Sequence, residues 1–247
     1  MKHQVTLGIK IGYSVIAWIV CGAAFISHFI LMALTSIFVK DRVDYNVRTA
    51  RWFLSTGMRL LGIQLTVHGH EHIPETGPFI IIANHQSHMD IASFLIATRR
   101  TYSFVAKKEL LAVPLLGWEL RNQGHIAIDR SKPTQAKAQL DALIEDISNG
   151  RRNLLVFAEG TRSATGRLGK FKLGAFDLAA KTGATVIPAV ITGSYNVLNK
   201  NSFLMSPGRI TIHFTSGIII PPEASGTTGG LDPYRRTVVS RIQSLLT

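Results

Sequence analysis

The 247-residue chain has only one cysteine, Cys21, which excludes an internal disulfide framework and a zinc site built on several cysteines. It also has no serine in a nucleophile-elbow motif, and no cysteine beyond the apolar N-terminal stretch. Enzymes that pass through an acyl-enzyme intermediate need such a nucleophile. An enzyme built on this chain is therefore expected to activate a hydroxyl of its substrate directly.

Acidic residues are scarce: 15 Asp and Glu stand against 27 Lys and Arg, for a formal net charge of +12. This balance favours anionic partners, namely nucleic acid, phospholipid head groups or phosphorylated substrates. Charge alone does not choose among the three. The hydrophobic fraction of 46% is high for a soluble enzyme, and the excess lies near the N-terminus.

No Asp, Glu, Lys or Arg occurs from Ile11 to Val39, where His28 is the only strongly polar side chain. A membrane-spanning helix needs about 20 apolar residues, so the stretch suffices for one tilted span. It also suits two shorter helices that enter and leave one leaflet, with a break at Gly22 or at Ser27. A secretory signal is disfavoured by its length and by the lack of a small-residue cleavage site. A buried core hairpin is the remaining alternative.

Five basic residues follow this stretch: Lys40, Arg42, Arg48, Arg51 and Arg59. Such residues gather on the cytoplasmic side of a membrane and attract anionic head groups. Residues 43–61 predict an amphipathic helix that either packs on the domain or lies at the membrane interface with Trp52 as an anchor. We therefore divide the chain into membrane-associated helices at 1–65 and an α/β domain at 66–247, and expect a cell inner (cytoplasmic) membrane protein whose domain faces the cytoplasm.

Beyond Gly69, short apolar runs alternate with helical segments, which predicts an α/β fold: a largely parallel mixed sheet flanked by helices. The predicted strands are 79–83, 103–106, 125–128, 154–157, 186–191 and 210–214. The predicted helices are 90–98, 133–148 (with Ser131 as its cap), 171–181 and 233–246, and the stretch 221–230 is expected to be a surface loop.

His85 and Asp90 stand where a buried strand turns into a helix, at the edge where α/β sheets bind ligands. A carboxylate at this spacing can hold one imidazole nitrogen and leave the other free as a base. Taken alone the spacing is weak, since His85 also suits a helix cap and Asp90 a first-turn acid. A metal site of His85, His88 and Asp90 lacks further ligands nearby.

A second segment, Phe157 to Ser163, also follows a predicted strand. It offers Gly160 for close backbone approach, the hydroxyl of Thr161, and Arg162, which can grip a phosphate with two hydrogen bonds. Glu159 either contacts substrate or holds Arg162 in place. The plain alternative is a strand-to-helix turn with a solvated arginine.

Four blocks in order resemble the glycerolipid acyltransferase family typified by 1-acylglycerol-3-phosphate acyltransferases. The first is Asn84-His85-x4-Asp90, and the third is Phe157-x-Glu159-Gly160-Thr161-Arg162-Ser163. The second joins residues 105–110 to a Gly-x-Ile-x-Ile-Asp-Arg run at 124–130, and the fourth is residues 186–190. One block would mean little, but four span 84–190. Two departures, Ala158 where proline is common and Ala127 where an aromatic residue is common, leave acceptor specificity open.

The resemblance implies transfer of an acyl chain from acyl-CoA or acyl carrier protein to the sn-2 hydroxyl of lysophosphatidate, with no cofactor and no metal. His85 would be the general base and Asp90 its orienting partner. The third block would bind the acceptor phosphate, Lys107 and Arg130 would add positive charge, and the fourth block would help shape the acyl site.

Three alternatives remain. The acceptor is another lysolipid, such as lyso-ornithine lipid; the dyad serves a hydrolase; or the charge marks a nucleic-acid-binding protein. The last lacks a clear pairing of basic residues with exposed aromatics, so we expect a phospholipid membrane as partner and no nucleic acid.

Overall fold

The structure, a computed structural model, describes residues 7–35, 38–128 and 133–246. The strands found there are β1 (Ile63–His68), β2 (Phe79–Ala83), β3 (Ser103–Lys107), β4 (Ile126–Ile128), β5 (Leu154–Phe157), β6 (Thr185–Thr192) and β7 (Gly208–Phe214). The α-helices are α1 (Leu7–Thr35), α2 (Arg42–Leu60), α3 (Met89–Ala97), α4 (Leu116–Asn122), α5 (Pro133–Asp141), α6 (Ile144–Ser148), α7 (Gly174–Thr182), α8 (Ser194–Val197) and α9 (Thr228–Ser244). Short 3-10 helices cover 70–72, 108–112 and 222–224.

The strands form one sheet in the order β1-β7-β6-β2-β5-β3-β4. Pairing is parallel throughout except between β6 and β7, which run antiparallel, so the predicted largely parallel mixed sheet is confirmed. All five residues of β2 are buried, because helices cover both faces of the sheet. The short apolar run Phe79–Ala83 is what such a central strand requires.

Side chains of β2 alternate between two apolar clusters. Phe79, Ile81 and Ala83 pack in a cluster with residues of α1, α2, α3 and α4. Ile80 and Ile82 pack on the other side of the sheet, with residues of α6, α7 and α9. The two clusters form the core, one on each face of the sheet.

The helix α1 is one unbroken helix of 29 residues, so the apolar stretch does not break at Gly22 or Ser27. Its length and mean hydropathy of 2.2 are sufficient to cross a membrane. One side is nevertheless fastened to the domain: the Tyr13 hydroxyl donates to the Leu61 carbonyl, and Trp18 Nε1 donates to the Phe203 carbonyl. The other side leaves several large apolar residues exposed, among them Ile9, Ile16, Ile19, Ile26, Ile30 and Leu34. This arrangement is compatible with membrane association.

The helix α2 matches the predicted helix at 43–61. Val47 and Ala50 are buried with Leu95 of α3, while Trp52 is 62% exposed. Arg51, one of the five basic residues after the apolar stretch, donates hydrogen bonds to three carbonyl oxygens in and just after α3. One face of α2 therefore packs on the domain while Trp52 lies on the surface.

Several details of the fold differ from prediction. The helix predicted at 133–148 is two helices, α5 and α6, separated by residues 142–143, and its predicted cap Ser131 lies outside the described residues. The predicted surface loop at 221–230 contains a 3-10 helix and the first turn of α9, because the Thr227 side chain caps that turn by accepting from Gly230 N. Strand β1 was not predicted, and the proposed boundary between residues 65 and 66 falls inside it.

Candidate active site

The two predicted functional segments lie side by side. β2 and β5 are parallel neighbours, and Ala83 at the end of β2 is in register with Phe157 at the end of β5. His85 and Glu159 each follow two residues later, so both lie at the carboxyl edge of the sheet. This is the edge at which open α/β sheets bind ligands.

His85 and Asp90 are in direct contact. His85 Nδ1 lies 2.7 Å from Asp90 Oδ2, and the same oxygen accepts backbone N–H bonds from Gln86 at 2.6 Å and Ser87 at 2.9 Å. The Asp90 side chain is fully buried, whereas 14% of the His85 side chain is exposed. Because the carboxylate holds Nδ1–H, the lone pair of Nε2 is free to accept a proton.

The imidazole is also held from its face. The rings of His85 and Phe157 stack with centroids 3.9 Å apart and an interplanar angle of 12°, and Phe94 contacts Phe157 edge-on. Phe157 was part of the third block without a role of its own. Phe157 is the last residue of β5, and it is in register with the strand that precedes His85. That position could have indicated its contact with the imidazole.

Asn84 holds the end of β2 in place immediately before His85. Its Nδ2 donates to the Ile191 carbonyl at 2.9 Å, and its Oδ1 accepts from Ile191 N at 2.8 Å. Because Asn84 is buried away from water, its side-chain oxygen and nitrogen are both satisfied by backbone partners. The pair of bonds ties the turn after β2 to β6.

Among the described residues, Glu159 forms no ion pair with Arg162, and both of its carboxylate oxygens accept hydrogen bonds from backbone N–H groups. Its Oε1 accepts from His85 N at 3.1 Å, and its Oε2 accepts from Gly169 N at 3.1 Å. Burial raises the pKa of this carboxyl, and the two N–H bonds offset part of that rise. The carboxylate therefore links the backbone of His85 to Gly169, in the loop at residues 158–172.

The same loop is fastened to the turn after β2 at two more points. Ser163 N donates to the His85 carbonyl at 2.7 Å, and Gln86 Nε2 donates to the Gly166 carbonyl at 2.9 Å. Arg162, within this loop, is half-buried and forms no ion pair with a carboxylate of the described residues. Burial lowers the pKa of His88, and the positive charge of Arg162 lowers it further.

Gly160 and Thr161 complete the predicted anion site. Gly160 has φ +72°, a backbone conformation that favours glycine, and it lies against the end of the Lys172 side chain. The Thr161 hydroxyl accepts a hydrogen bond from Lys200 Nζ at 3.1 Å. Lys172 and Lys200 were not predicted, because both approach the block from later segments of the chain.

The two other cations predicted to contribute to the anion site are Lys107 and Arg130. Lys107 lies at the end of β3 and forms an exposed ion pair with Glu109 at 3.1 Å. Arg130 lies outside the described residues, so its predicted role stays a prediction. In the part of the chain that is described, no three His, Cys, Asp or Glu side chains converge in a manner that could hold a metal ion.

An apolar cavity of about 250 Å³ lies between α1, α2, α3 and α4. Met89, the residue before Asp90, lines it, together with Phe25 of α1, Phe53 and Met58 of α2, and Ala92 of α3. A polar group also lines it: His28 Nδ1 lies 3.3 Å from Glu119 Oε1, and the Gln123 amide bonds the same carboxylate. A cavity of this character beside the dyad can take a hydrocarbon chain.

Comparison with known proteins agrees with this geometry. The acyltransferase family model matches residues 64–192. A 1-acyl-sn-glycerol-3-phosphate acyltransferase of Saccharomyces cerevisiae is 36% identical over 166 residues, covering 64% of this chain and 54% of that protein. The alpha form from Mus musculus is 29% identical over 204 residues, covering 82% of this chain and 69% of the mouse protein. A chloroplastic relative from Arabidopsis thaliana is 33% identical, with 61% and 43% covered.

The chain thus spans about half the length of the first curated relatives it matches. Among solved structures, the 1-acyl-sn-glycerophosphate acyltransferase of Thermotoga maritima superposes with a TM-score of 0.82 at 27% identity, over 96% of both chains. The likeness to that structure therefore includes the N-terminal helices as well as the sheet.

Proposed function

The chain belongs to the acyltransferase family, and on that premise we propose that it transfers an acyl chain from a thioester donor to the free sn-2 hydroxyl of 1-acylglycerol-3-phosphate, forming phosphatidate. The observation that carries the proposal is the hydrogen bond of 2.7 Å between His85 Nδ1 and the buried Asp90 carboxylate, which leaves Nε2 as a base. The printed names of the relatives support lysophosphatidate as acceptor.

The reaction needs no covalent enzyme intermediate. His85 Nε2 takes the proton of the acceptor hydroxyl as its oxygen bonds to the thioester carbonyl carbon. Asp90 stabilises the imidazolium that forms. The tetrahedral intermediate then collapses, the carbon–sulfur bond breaks, and the imidazolium returns the proton to the thiolate. The products are the ester and the free thiol carrier, and the base is regenerated.

Arg162 is proposed to hold the acceptor phosphate, with Gly160 and Thr161 beside it. The support is its place beside Ser163, whose N–H bonds the His85 carbonyl, and its lack of a carboxylate partner among the described residues. A guanidinium can bind phosphate with two parallel hydrogen bonds, which fixes orientation as well as affinity. Fixing the phosphate brings the sn-2 hydroxyl to Nε2, and this positioning contributes to rate.

The cavity between α1 and α4 is proposed to take an acyl chain, and the exposed apolar side of α1 to lie in lipid. A chain drawn from the bilayer could then enter the cavity without crossing water, since α1 borders both. We propose a phospholipid membrane as partner, with the protein at the cell inner (cytoplasmic) membrane and its domain on the cytoplasmic side. Acyl-CoA and acyl carrier protein would both be available there as donors, without a further cofactor.

A panel of acceptors tests the proposal. The detergent-purified protein is given oleoyl-CoA with lysophosphatidate, then with lyso-ornithine lipid, and then with no acceptor, and products are followed by mass spectrometry. We expect phosphatidate, and an Arg162→Ala variant whose KM for lysophosphatidate rises at least about tenfold, the cost of one charged hydrogen-bonded pair.

The matched control is Arg99→Ala, an exposed arginine between α3 and β3, at the opposite edge of the sheet, which should leave that KM unchanged. Acylation of lyso-ornithine lipid alone would move the acceptor to a phosphate-free lysolipid. Fatty acid released at full rate without acceptor would replace the transferase by a hydrolase.

A further inference from the structure

We infer that a cationic groove on the far side of the 158–172 loop binds the nucleotide phosphates of a coenzyme A thioester, and so selects the acyl donor. The inference rests on the proposed function, since it concerns the donor of that same reaction. The groove has a volume of about 620 Å³ and lies between the loop and the first half of α9. Its lining includes Thr161, Lys170, Lys172, Thr228 and Arg235.

The charge of the groove is largely uncompensated. Lys170 and Lys172 are exposed and form no ion pair with a carboxylate of the described chain. Arg235 pairs with Asp232, but that one carboxylate also serves Arg236, which lines an adjoining depression with Lys170 and Arg235. Glu159 is the only acid lining the groove among the described residues, and backbone N–H groups occupy both of its oxygens. The groove is thus lined by Lys170, Lys172 and Arg235 and by one carboxylate, while Asp232 is shared between Arg235 and Arg236.

The groove adjoins the base and shares Thr161 with the proposed acceptor site, but it does not include Arg162. Glu159 lines it and contacts His85 N, and Lys172 Nζ lies against Gly160. Arg162 and His88 are not among the described residues that line it. Two anion-binding surfaces thus border the same loop, one beside Arg162 and one along Lys170, Lys172 and Arg235.

A transfer reaction between two phosphate-bearing substrates would use two anion-binding surfaces. The acceptor carries one phosphate on a lipid, whereas a coenzyme A thioester carries an adenosine 3′-phosphate 5′-diphosphate at the end of a long flexible arm. A groove of this volume lies within the range of about 300 to 1,000 Å³ that small ligands occupy, and exceeds what a lone phosphate needs. Cations suit the nucleotide end, while the arm delivers the thioester to His85.

The test compares oleoyl-CoA with its 3′-dephospho form in wild type, Lys170→Gln, Arg235→Gln and the control Arg99→Gln. We expect the wild type and the control to have a KM for oleoyl-CoA at least about tenfold below that for the dephospho form, as one charged contact provides. Each groove variant should lose that discrimination, with the KM for lysophosphatidate unchanged. Calorimetric titration with adenosine 3′,5′-bisphosphate provides a readout that needs no turnover, and should show binding by wild type that both groove variants weaken.

The outcomes separate this inference from the proposed function. Equal KM values for the two donors in wild type, or equal titration of wild type and variants, would overturn the groove assignment even if phosphatidate forms. A raised KM for lysophosphatidate in the groove variants would assign the groove to the acceptor instead. If the groove variants raised the KM for acylated acyl carrier protein and left the KM for oleoyl-CoA unchanged, the groove would be assigned to the carrier protein. If the groove variants weakened bisphosphate binding but the wild type transferred no acyl chain, the groove assignment would stand and the proposed reaction would be wrong.

Discussion

The two faces of the sheet are packed to different degrees. On one face, Ile80 and Ile82 are fully buried in a cluster with Phe176 and Ala179 of α7 and Val238 of α9. On the other face, α1 to α4 leave a cavity of about 250 Å³ lined by Met89 and Ala92 of α3. A filled face contributes stability, whereas an open apolar face forfeits packing contacts. The α7 and α9 face therefore supports the fold, and the α1 to α4 face is the one proposed to take an acyl chain.

The largest expected effect concerns the dyad at the edge of the open face. In Asp90→Asn, the amide oxygen can still accept the three N–H bonds that Oδ2 accepts, but the negative charge that stabilises the imidazolium of His85 is lost. We expect kcat to fall about 10³-fold, within the usual contribution of acid–base catalysis. Steady-state acyl transfer measures it, with near-ultraviolet circular dichroism as the check on folding. A variant retaining more than a tenth of wild-type kcat would contradict the assigned role.

Glu159→Gln should have the next largest effect. Glutamine has one carbonyl oxygen, so it can accept from either His85 N or Gly169 N and presents its NH₂ group to the other. We expect kcat to fall about 10²-fold, since a displaced base commonly costs that much. Glu145→Gln, which removes an exposed carboxylate paired with Arg151, is the control and should be silent. Equal activity of both variants with wild type would refute the linking role.

A matched pair of alanines sharpens the contrast between the faces. Ala179→Leu inserts atoms into the filled face and should lower the free energy of unfolding by about 1–3 kcal/mol. Ala92→Leu enters the cavity and should change it by less than about 1.5 kcal/mol, while moving the preferred acyl chain to a shorter length. Urea unfolding and a chain-length series of donors measure the two effects. Equal destabilisation with an unchanged chain-length profile would remove the distinction.

The smallest expected effect is a dependence of stability on pH. Burial, and secondarily Arg152, lower the pKa of His125 from 6.5 to about 3. Between those values the unfolded chain binds a proton that the folded one does not, so stability falls as pH decreases from 6.5. The slope from this residue should reach about 1 kcal/mol per pH unit. His125→Phe, which retains a ring against Phe104, should flatten the profile measured by urea unfolding, and an unaltered slope would contradict this.

The sequence predicted the parallel sheet and the segment carrying His85 because local signals carry both. A buried apolar run ended by a polar turn marks β2, and its neighbour in register brings Phe157 alongside. The role of Glu159 had no such signal, because its second partner, Gly169, returns to it only after a ten-residue excursion. Whether the Glu159 carboxylate faces substrate or backbone depends on where the loop brings Gly169, and the spacing of residues in the sequence does not determine this.

The missed elements have similar causes. Residues 142–143 separate α5 from α6 without a proline or glycine, so composition gives no break signal there. The helix α9 begins before two glycines because the Thr227 cap offsets their weak helix propensity. The cavity depends on how α1 and α4 meet, through His28 and Glu119, which are 91 residues apart in the numbering. Local sequence patterns do not encode a contact between residues so far apart in the chain, so they could not predict the cavity.

The most direct measurement of the central claim is acyl transfer by His85→Ala beside wild type, with lysophosphatidate and oleoyl-CoA in detergent and the product detected by mass spectrometry. The account predicts phosphatidate from wild type and at least about a 10³-fold loss in the variant, because Nε2 is the only base that it assigns. Wild-type turnover by His85→Ala would contradict the account at its centre.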